Sequence, residues 1–96
     1  MARRLRQLKD GFLFAFLGAF MILFYRRMAQ NGQPKKALKG LTWLVDNLST
    51  VGVVHNDRGF AYLKLGRVQE AHDDLQRATE VDPRLSMAHS NLGLTL

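Results

Sequence analysis

GFAYLKLGRVQEAHDDLQRATEVDP, residues 59–83, contains two amphipathic segments separated by a glycine. In the first segment, Gly59 and Tyr62 lie on one helical face, where the glycine allows a second helix to approach closely. Gly66 ends this segment, and apolar residues three and four positions apart form the next one. The second segment ends before Pro83, because the residue that precedes a proline is displaced from helical geometry. This punctuation predicts two antiparallel helices.

The same residues resemble the tetratricopeptide repeat (TPR), which has the pattern W-x2-L-G-x2-Y, A-x3-F and P over about 34 residues. The corresponding positions in this chain are, in order, His55, Arg58, Gly59, Tyr62, Ala71, Leu75 and Pro83. The first two stand where large apolar residues are commoner, whereas the small residues and the proline match. The resemblance implies stacked helical hairpins whose concave surface binds peptides or partner helices.

The spacing of 34 positions recurs on both sides of this repeat. Gly93 lies 34 positions after Gly59, which predicts the first helix of a further repeat. Gly32 lies 34 positions before Gly66, which predicts the second helix of a degenerate preceding repeat. We therefore predict an all-α module of about one and a half to two and a half repeats over residues 31–96. It comprises a degenerate repeat helix at residues 33–49, a full repeat at 52–85 and a partial repeat helix at 86–96.

Basic residues are concentrated in the N-terminal half of the chain. Residues 1–48 contain nine Lys and Arg against two acidic residues, whereas residues 49–96 contain five against six. This excess flanks an apolar run, which favours membrane lipid as a partner. Nucleic-acid binding would require basic and aromatic side chains interleaved on the repeat, so no nucleic-acid partner is expected.

The apolar run is GFLFAFLGAFMILFY, residues 11–25, and it contains no charged side chain. As a helix it is about 22 Å long, short of a hydrocarbon core of about 30 Å, but flanking Lys and Arg side chains can extend toward headgroups. We predict a basic N-terminus with a single transmembrane helix within residues 1–30, which ends at about Gln30 and serves as the first helix of the degenerate repeat. A buried core helix, a cleaved signal peptide and a mitochondrial sorting sequence are the alternatives. A small excess of basic residues after the run favours the repeat module on the cytoplasmic-type side.

Small residues along this run predict contact with another transmembrane helix, because they let two backbones approach closely. This membrane helix seam comprises Gly11, Ala15, Gly18 and Ala19.

The sequence predicts no catalytic residue, no cofactor and no metal, and hence no enzyme. His55 and His89 are separated by one repeat length, so the repeat accounts for them better than a metal site does. Asp73 and Asp74 are neighbours on a helix and point in different directions, which excludes a paired-carboxylate site. They are predicted to be solvated or to pair with Arg58 across the hairpin.

The resemblance to TPR proteins also implies which residues line the concave surface. Asn56 and Phe60 replace a lysine and an asparagine that clamp a terminal carboxylate in one subgroup of the family. A groove of mixed apolar and amide character for a peptide or helix is therefore expected. Its predicted residues are Val53, Asn56, Phe60, Leu63, Lys64, Met87, Ser90, Asn91 and Leu94.

Leu92 and Leu96 form a second predicted docking surface, because no second helix follows to cover them. Either the chain is a truncated form or another chain covers this end. Taken together, these features predict a single-pass membrane protein that acts as an anchored TPR adaptor or assembly factor. The alternative is a small accessory subunit built permanently into a membrane complex.

Overall fold

Five α-helices follow one another in the computed structural model, which describes the backbone of residues 2–96 and the side chains of residues 13 and 15–96. They are α1 (Ala2–Gln30), α2 (Pro34–Asn47), α3 (Gly52–Lys64), α4 (Val68–Val81) and α5 (Ser86–Gly93). Each helix packs on the next, α1 also contacts α3, and α3 also contacts α5. The first helices of successive hairpins, α1, α3 and α5, therefore form one layer, which we call the first-helix layer. The predicted all-α fold is confirmed.

Two glycines 34 positions apart close the two hairpins. Gly32 and Gly66 have φ angles of 85° and 75°, which glycine adopts without steric cost. The N–H of the following residue donates to a carbonyl oxygen five positions earlier, at 3.0 Å for Gln33 to Met28 and 2.9 Å for Arg67 to Tyr62. The α1–α2 turn is therefore the structural equivalent of the α3–α4 turn.

In the α3–α4 hairpin the two helices approach each other closely at Gly59, the small residue of the motif. A Cβ added at Gly59 would lie 2.7 Å from Leu75 Cγ and 3.3 Å from the carbonyl oxygen of Ala71. Leu75 and Ala71 are completely buried. Only a residue without a side chain lets the two helices come this close, as the sequence pattern predicts.

The α1–α2 hairpin reverses the roles of large and small residues. Tyr25 lies 34 positions before Gly59, and its ring covers Gly40, where an added Cβ would overlap it. Gly40 lies 34 positions before Asp74, so here the small residue is on the second helix. This exchange preserves the close packing of the hairpin while removing the sequence pattern of the repeat.

A further pair of contacts shows that α1 occupies the position of a first helix. A Cβ added at Gly18 would lie 3.2 Å from Leu48 Cδ1, and one added at Gly52 would lie 2.7 Å from Asp82 Cβ. Each residue of the second pair lies 34 positions after its counterpart in the first. α1 therefore packs on the end of α2 as α3 packs on the end of α4.

One face of α1 is apolar and exposed to solvent. Its side chains, between 44% and 63% exposed, are Leu13, Phe16, Leu17, Phe20, Leu23 and Phe24, and we call them the outer face of α1. The opposite side packs on the module, with Ala29 buried and Ile22 and Tyr25 partly buried. The module therefore covers one side of α1 at described positions from Gly18 onward, which the composition of the apolar run alone does not predict.

Across the residues that the structure describes, no helix combines the length and the apolar character needed to cross a membrane.

Candidate functional site

A row of polar side chains crosses the first-helix layer. Arg26 on α1 donates from Nε to both carboxylate oxygens of Asp57 on α3, at 3.1 and 3.2 Å. The amide of Asn56 donates to Asp57 Oδ1 at 3.4 Å, and the amide of Asn91 on α5 donates to Asn56 Oδ1 at 3.0 Å. These four side chains, which we call the polar row, connect all three helices of the layer.

Burial determines the electrostatics at the centre of the polar row. The Asp57 side chain is 3% exposed, whereas that of Arg26 is 25% exposed. Desolvation raises the pKa of the Asp57 carboxyl above its usual range, and the charge and hydrogen bond of Arg26 oppose that rise. Arg26 is therefore the main group that offsets the burial of this carboxylate.

Apolar and cationic side chains lie beside the polar row on α3. Phe60 packs partly buried against the core, and Lys64 Nζ lies 5.3 Å from the centre of its ring. A cation over an exposed ring contributes about 0.5–1 kcal/mol, enough to favour one position of the lysine. The layer thus presents apolar surface, amides and a positive charge together, which suits noncovalent binding of another polypeptide.

The predicted groove residues differ in how far they can reach a partner. Asn56 is buried, and its amide is engaged within the polar row, so it forms the floor of the layer. Half-buried residues are Val53, Phe60, Leu63 and Asn91, and exposed residues are Lys64, Met87, Ser90 and Leu94. All of them lie on or next to α3 and α5, as the resemblance implies.

Arg26 and Asp57 are site residues that sequence reasoning missed. Arg26 directly follows the apolar run, so the sequence pattern places it among the basic residues that flank a membrane helix. Asp57 lies 34 positions before Asn91, so a polar residue recurs at one repeat position of two successive first helices. That recurrence is the signal that could have identified the polar row.

A second buried ion pair lies within the α3–α4 hairpin. Arg58 Nε and Nη2 donate to the two carboxylate oxygens of Asp74 at 2.6 and 2.7 Å. The hydrogen bond to Asp74 raises the pKa of the Arg58 guanidinium, although desolvation opposes this. The predicted pairing of Arg58 across the hairpin is confirmed for Asp74, whereas Asp73 is exposed and accepts a hydrogen bond from Gln69 at 3.3 Å. The arginine replaces the large apolar residue of the motif without leaving an unpaired charge.

The histidines one repeat apart make equivalent contacts. His55 Nε2 donates to the carbonyl oxygen of Ser49 at 2.7 Å, and His89 Nε2 donates to that of Pro83 at 2.8 Å. Each ring thereby fixes the loop six positions earlier to its own helix. Among the side chains that the structure describes, no group of three His, Asp or Glu residues could hold a metal ion.

The other predicted surfaces are placed as follows. Gly18 of the membrane helix seam is buried against α2, Ala15 and Ala19 are exposed, and Gly11 lies outside the residues whose surroundings are described. At the other end of the chain, Leu92 is half-buried and Leu96 is 92% exposed.

Comparison with known proteins identifies the central hairpin. Residues 53–85 match the family model described as Tetratricopeptide repeat. No curated protein and no solved structure matches the chain. The matched segment contains most of α3 and all of α4, including the contact between Gly59 and Leu75. The chain therefore contains one segment similar to a tetratricopeptide repeat, residues 53–85.

Proposed function

We propose that this protein is a membrane-anchored adaptor that binds a protein partner on its first-helix layer. A tetratricopeptide repeat indicates a role in protein–protein interaction. The observation that carries the binding site is the polar row, because it joins α1, α3 and α5 into one continuous surface. Lys64 on α3 and Met87 on α5 are exposed on the same helices as the polar row, where they can contact a bound peptide or helix.

The outer face of α1 supports the anchor. Burial of one large apolar side chain contributes about 1.5–3 kcal/mol, and this face exposes several of them side by side. Basic residues flank it in the sequence, as expected for a segment that meets anionic headgroups. Full immersion of residues 11–25 in a bilayer would separate Gly18 and Tyr25 from α2, so we propose insertion of the outer face while the other side stays packed.

The partner site is tested by affinity purification of the full chain in mild detergent. Lys64→Glu with Met87→Glu changes exposed positions on the first-helix layer, and is expected to remove proteins that co-purify with the parent chain. Gln76→Glu with Arg77→Glu is the matched control, because it changes the charge equally at exposed positions on α4. Equal loss of partners from both variants, or from neither, would contradict the proposed site.

The anchor is tested by flotation of the full chain with lipid vesicles. Phe16→Gln with Phe20→Gln is expected to lower the partition coefficient into the vesicles by about 100-fold, because each of the two rings contributes at least about 1.5 kcal/mol. Gln76→Leu with Thr79→Leu adds apolar surface elsewhere and is expected to leave flotation unchanged. Undiminished flotation of the phenylalanine variant would refute this mode of anchoring.

A further inference from the structure

Three exposed lysines and a tryptophan lie on α2, and the tryptophan and two of the lysines border α1. Lys36, Lys39 and Trp43 line a shallow cleft together with Met21 and Tyr25 of α1. Lys35 is exposed in the same turn of α2 as Lys36. We call Lys35, Lys36, Lys39 and Trp43 the basic edge.

Aromatic contacts make the basic edge continuous with the outer face of α1. Phe24 belongs to the outer face, and its ring meets that of Tyr25 edge to face, with centroids 5.1 Å apart. Tyr25 in turn covers Gly40 and lines the same cleft as Trp43. An apolar surface on α1 thus passes directly into a cationic one on α2.

The charge of this surface is of one sign. Residues 13–45 contain Arg26, Arg27, Lys35, Lys36 and Lys39 and no acidic residue. Arg26 is engaged with Asp57, but none of the three lysines forms an ion pair among the described side chains. These lysines are therefore available to an anionic surface.

An anionic bilayer fits this combination better than a protein does. Tryptophan favours the boundary between hydrocarbon and headgroups, and lysine stems lie along apolar surface while their ammonium groups remain hydrated. Each lysine near an anionic leaflet contributes about 1 kcal/mol of attraction. Trp43, which is 43% exposed, lies where the apolar and cationic parts meet.

Given the membrane anchoring proposed above, on which this inference rests, we propose that the basic edge binds anionic lipid headgroups. The membrane then contacts two helices, α1 through its outer face and α2 through its basic edge. Arg26 donates to Asp57 on α3, so it belongs to the polar row and not to the basic edge. The module is held against the bilayer instead of hanging from a flexible tether.

Fluorescence of Trp43, the only tryptophan in the chain, reports on this contact directly. The full chain is mixed with vesicles of phosphatidylcholine alone, or of phosphatidylcholine with phosphatidylglycerol, and quenching by acrylamide is measured. We expect quenching to fall at least about twofold on the anionic vesicles relative to the neutral ones. High salt should abolish this difference between the two vesicle types, because it screens the charges of the lysines.

Charge reversal tests the lysines against a matched control. The variant Lys35→Glu, Lys36→Glu, Lys39→Glu is expected to lose the protection of Trp43 on anionic vesicles. The control variant Arg67→Glu, Arg77→Glu, Arg84→Glu has the same change in net charge at exposed positions of the α4 hairpin, and should retain it. Loss of protection in both variants would show a nonspecific effect of net charge and would overturn the assignment.

Flotation measured on the same samples separates this inference from the anchor. Flotation with both vesicle types and equal quenching of Trp43 would leave the anchor standing and refute the basic edge. Flotation with anionic vesicles alone would support the edge and contradict apolar insertion, and absence of flotation with either would refute both. Concentration-dependent protection of Trp43 in detergent without lipid would assign the edge to a second copy of the chain and overturn its assignment to lipid.

Discussion

Arg26 and Asp57, 31 positions apart, form an ion pair that joins the helix containing the apolar run to the helix that begins the matched repeat. The arginine is three-quarters buried and the carboxylate almost completely so. Removal of one partner from a buried ion pair strongly destabilises the folded protein, because the other charge is left unpaired. The pair therefore fixes α1 as a member of the first-helix layer.

Removal of Arg26 should destabilise the fold. We expect Arg26→Ala to reduce the free energy of unfolding by about 1–3 kcal/mol, less than for a fully buried pair because Arg26 is partly exposed. Chemical denaturation of the full chain in mild detergent, followed by circular dichroism, measures this value. Arg27→Ala removes the exposed neighbouring cation and should change stability little. Equal effects of the two substitutions would show that the pair does not hold α1 in place.

Stability should depend on pH through Asp57. Its folded-state pKa is raised by burial, so between the ordinary pKa of 3.8 and the raised pKa the folded chain binds more protons than the unfolded one. The contribution of Asp57 to stability is therefore largest at the acid end of this range and is lost as pH rises through the folded-state pKa. Unfolding free energies of the parent and Asp57→Asn measure it by difference. A difference that grows as pH rises would contradict the assigned direction.

Gly59 and Gly93 occupy the same repeat position but have different surroundings. A Cβ at Gly59 would meet Leu75, whereas nothing lies within 4 Å of one at Gly93. Gly59→Ala should therefore destabilise the chain by about 1–3 kcal/mol through overpacking. Gly93→Ala should be neutral or stabilising by up to about 1 kcal/mol, since alanine favours helix. Thermal melts compare the two, and the reverse order would exclude the α3–α4 contact described here.

The reversed packing of the first hairpin predicts a compensating pair. Gly40→Ala should destabilise the chain, because the new methyl group overlaps the Tyr25 ring. Tyr25→Ala alone should also destabilise it, by about 3 kcal/mol or less, since it leaves a cavity beside a partly buried ring. In the double variant the methyl group at position 40 no longer overlaps a ring at position 25. The destabilisation of the double variant should therefore be smaller than the sum of the two single effects. Additive effects in denaturant titrations would show that the residues do not meet.

The repeat was predictable because its determinants are local. Gly66 and Pro83 each act on the few residues around them, and Gly59 acts within the same hairpin by contact with Leu75. The sequence also predicts that the helix of the apolar run serves as the first helix of the degenerate repeat. Which of its faces packs on the module was not predictable, because a run of Leu and Phe suits both a bilayer and a packed interface. Tyr25 also stands where the motif has glycine, so the first hairpin was predicted only as a degenerate repeat, from the spacing of Gly32 and Gly66.

The polar row escaped prediction for a different reason. Arg26 and Asp57 are brought together only when α1 packs on α3, and neither residue is unusual in its own helix. Asp74 was easier to identify, because the hairpin that contains it is itself defined by the motif. Sequence reasoning thus found contacts within a repeat and missed those between successive first helices.

We propose that α1 contacts lipid through its outer face while the first-helix layer stays open to a partner. Because the chain contains no cysteine, single cysteines at Phe20 and Ser90 can each carry a polarity-sensitive fluorophore, measured on the full chain bound to vesicles. Both positions are exposed in the structure, so labelling should preserve the fold. We predict a blue-shifted emission from position 20 and an aqueous emission from position 90. Aqueous emission from position 20 on bound protein, or a blue shift from position 90, would contradict the claim.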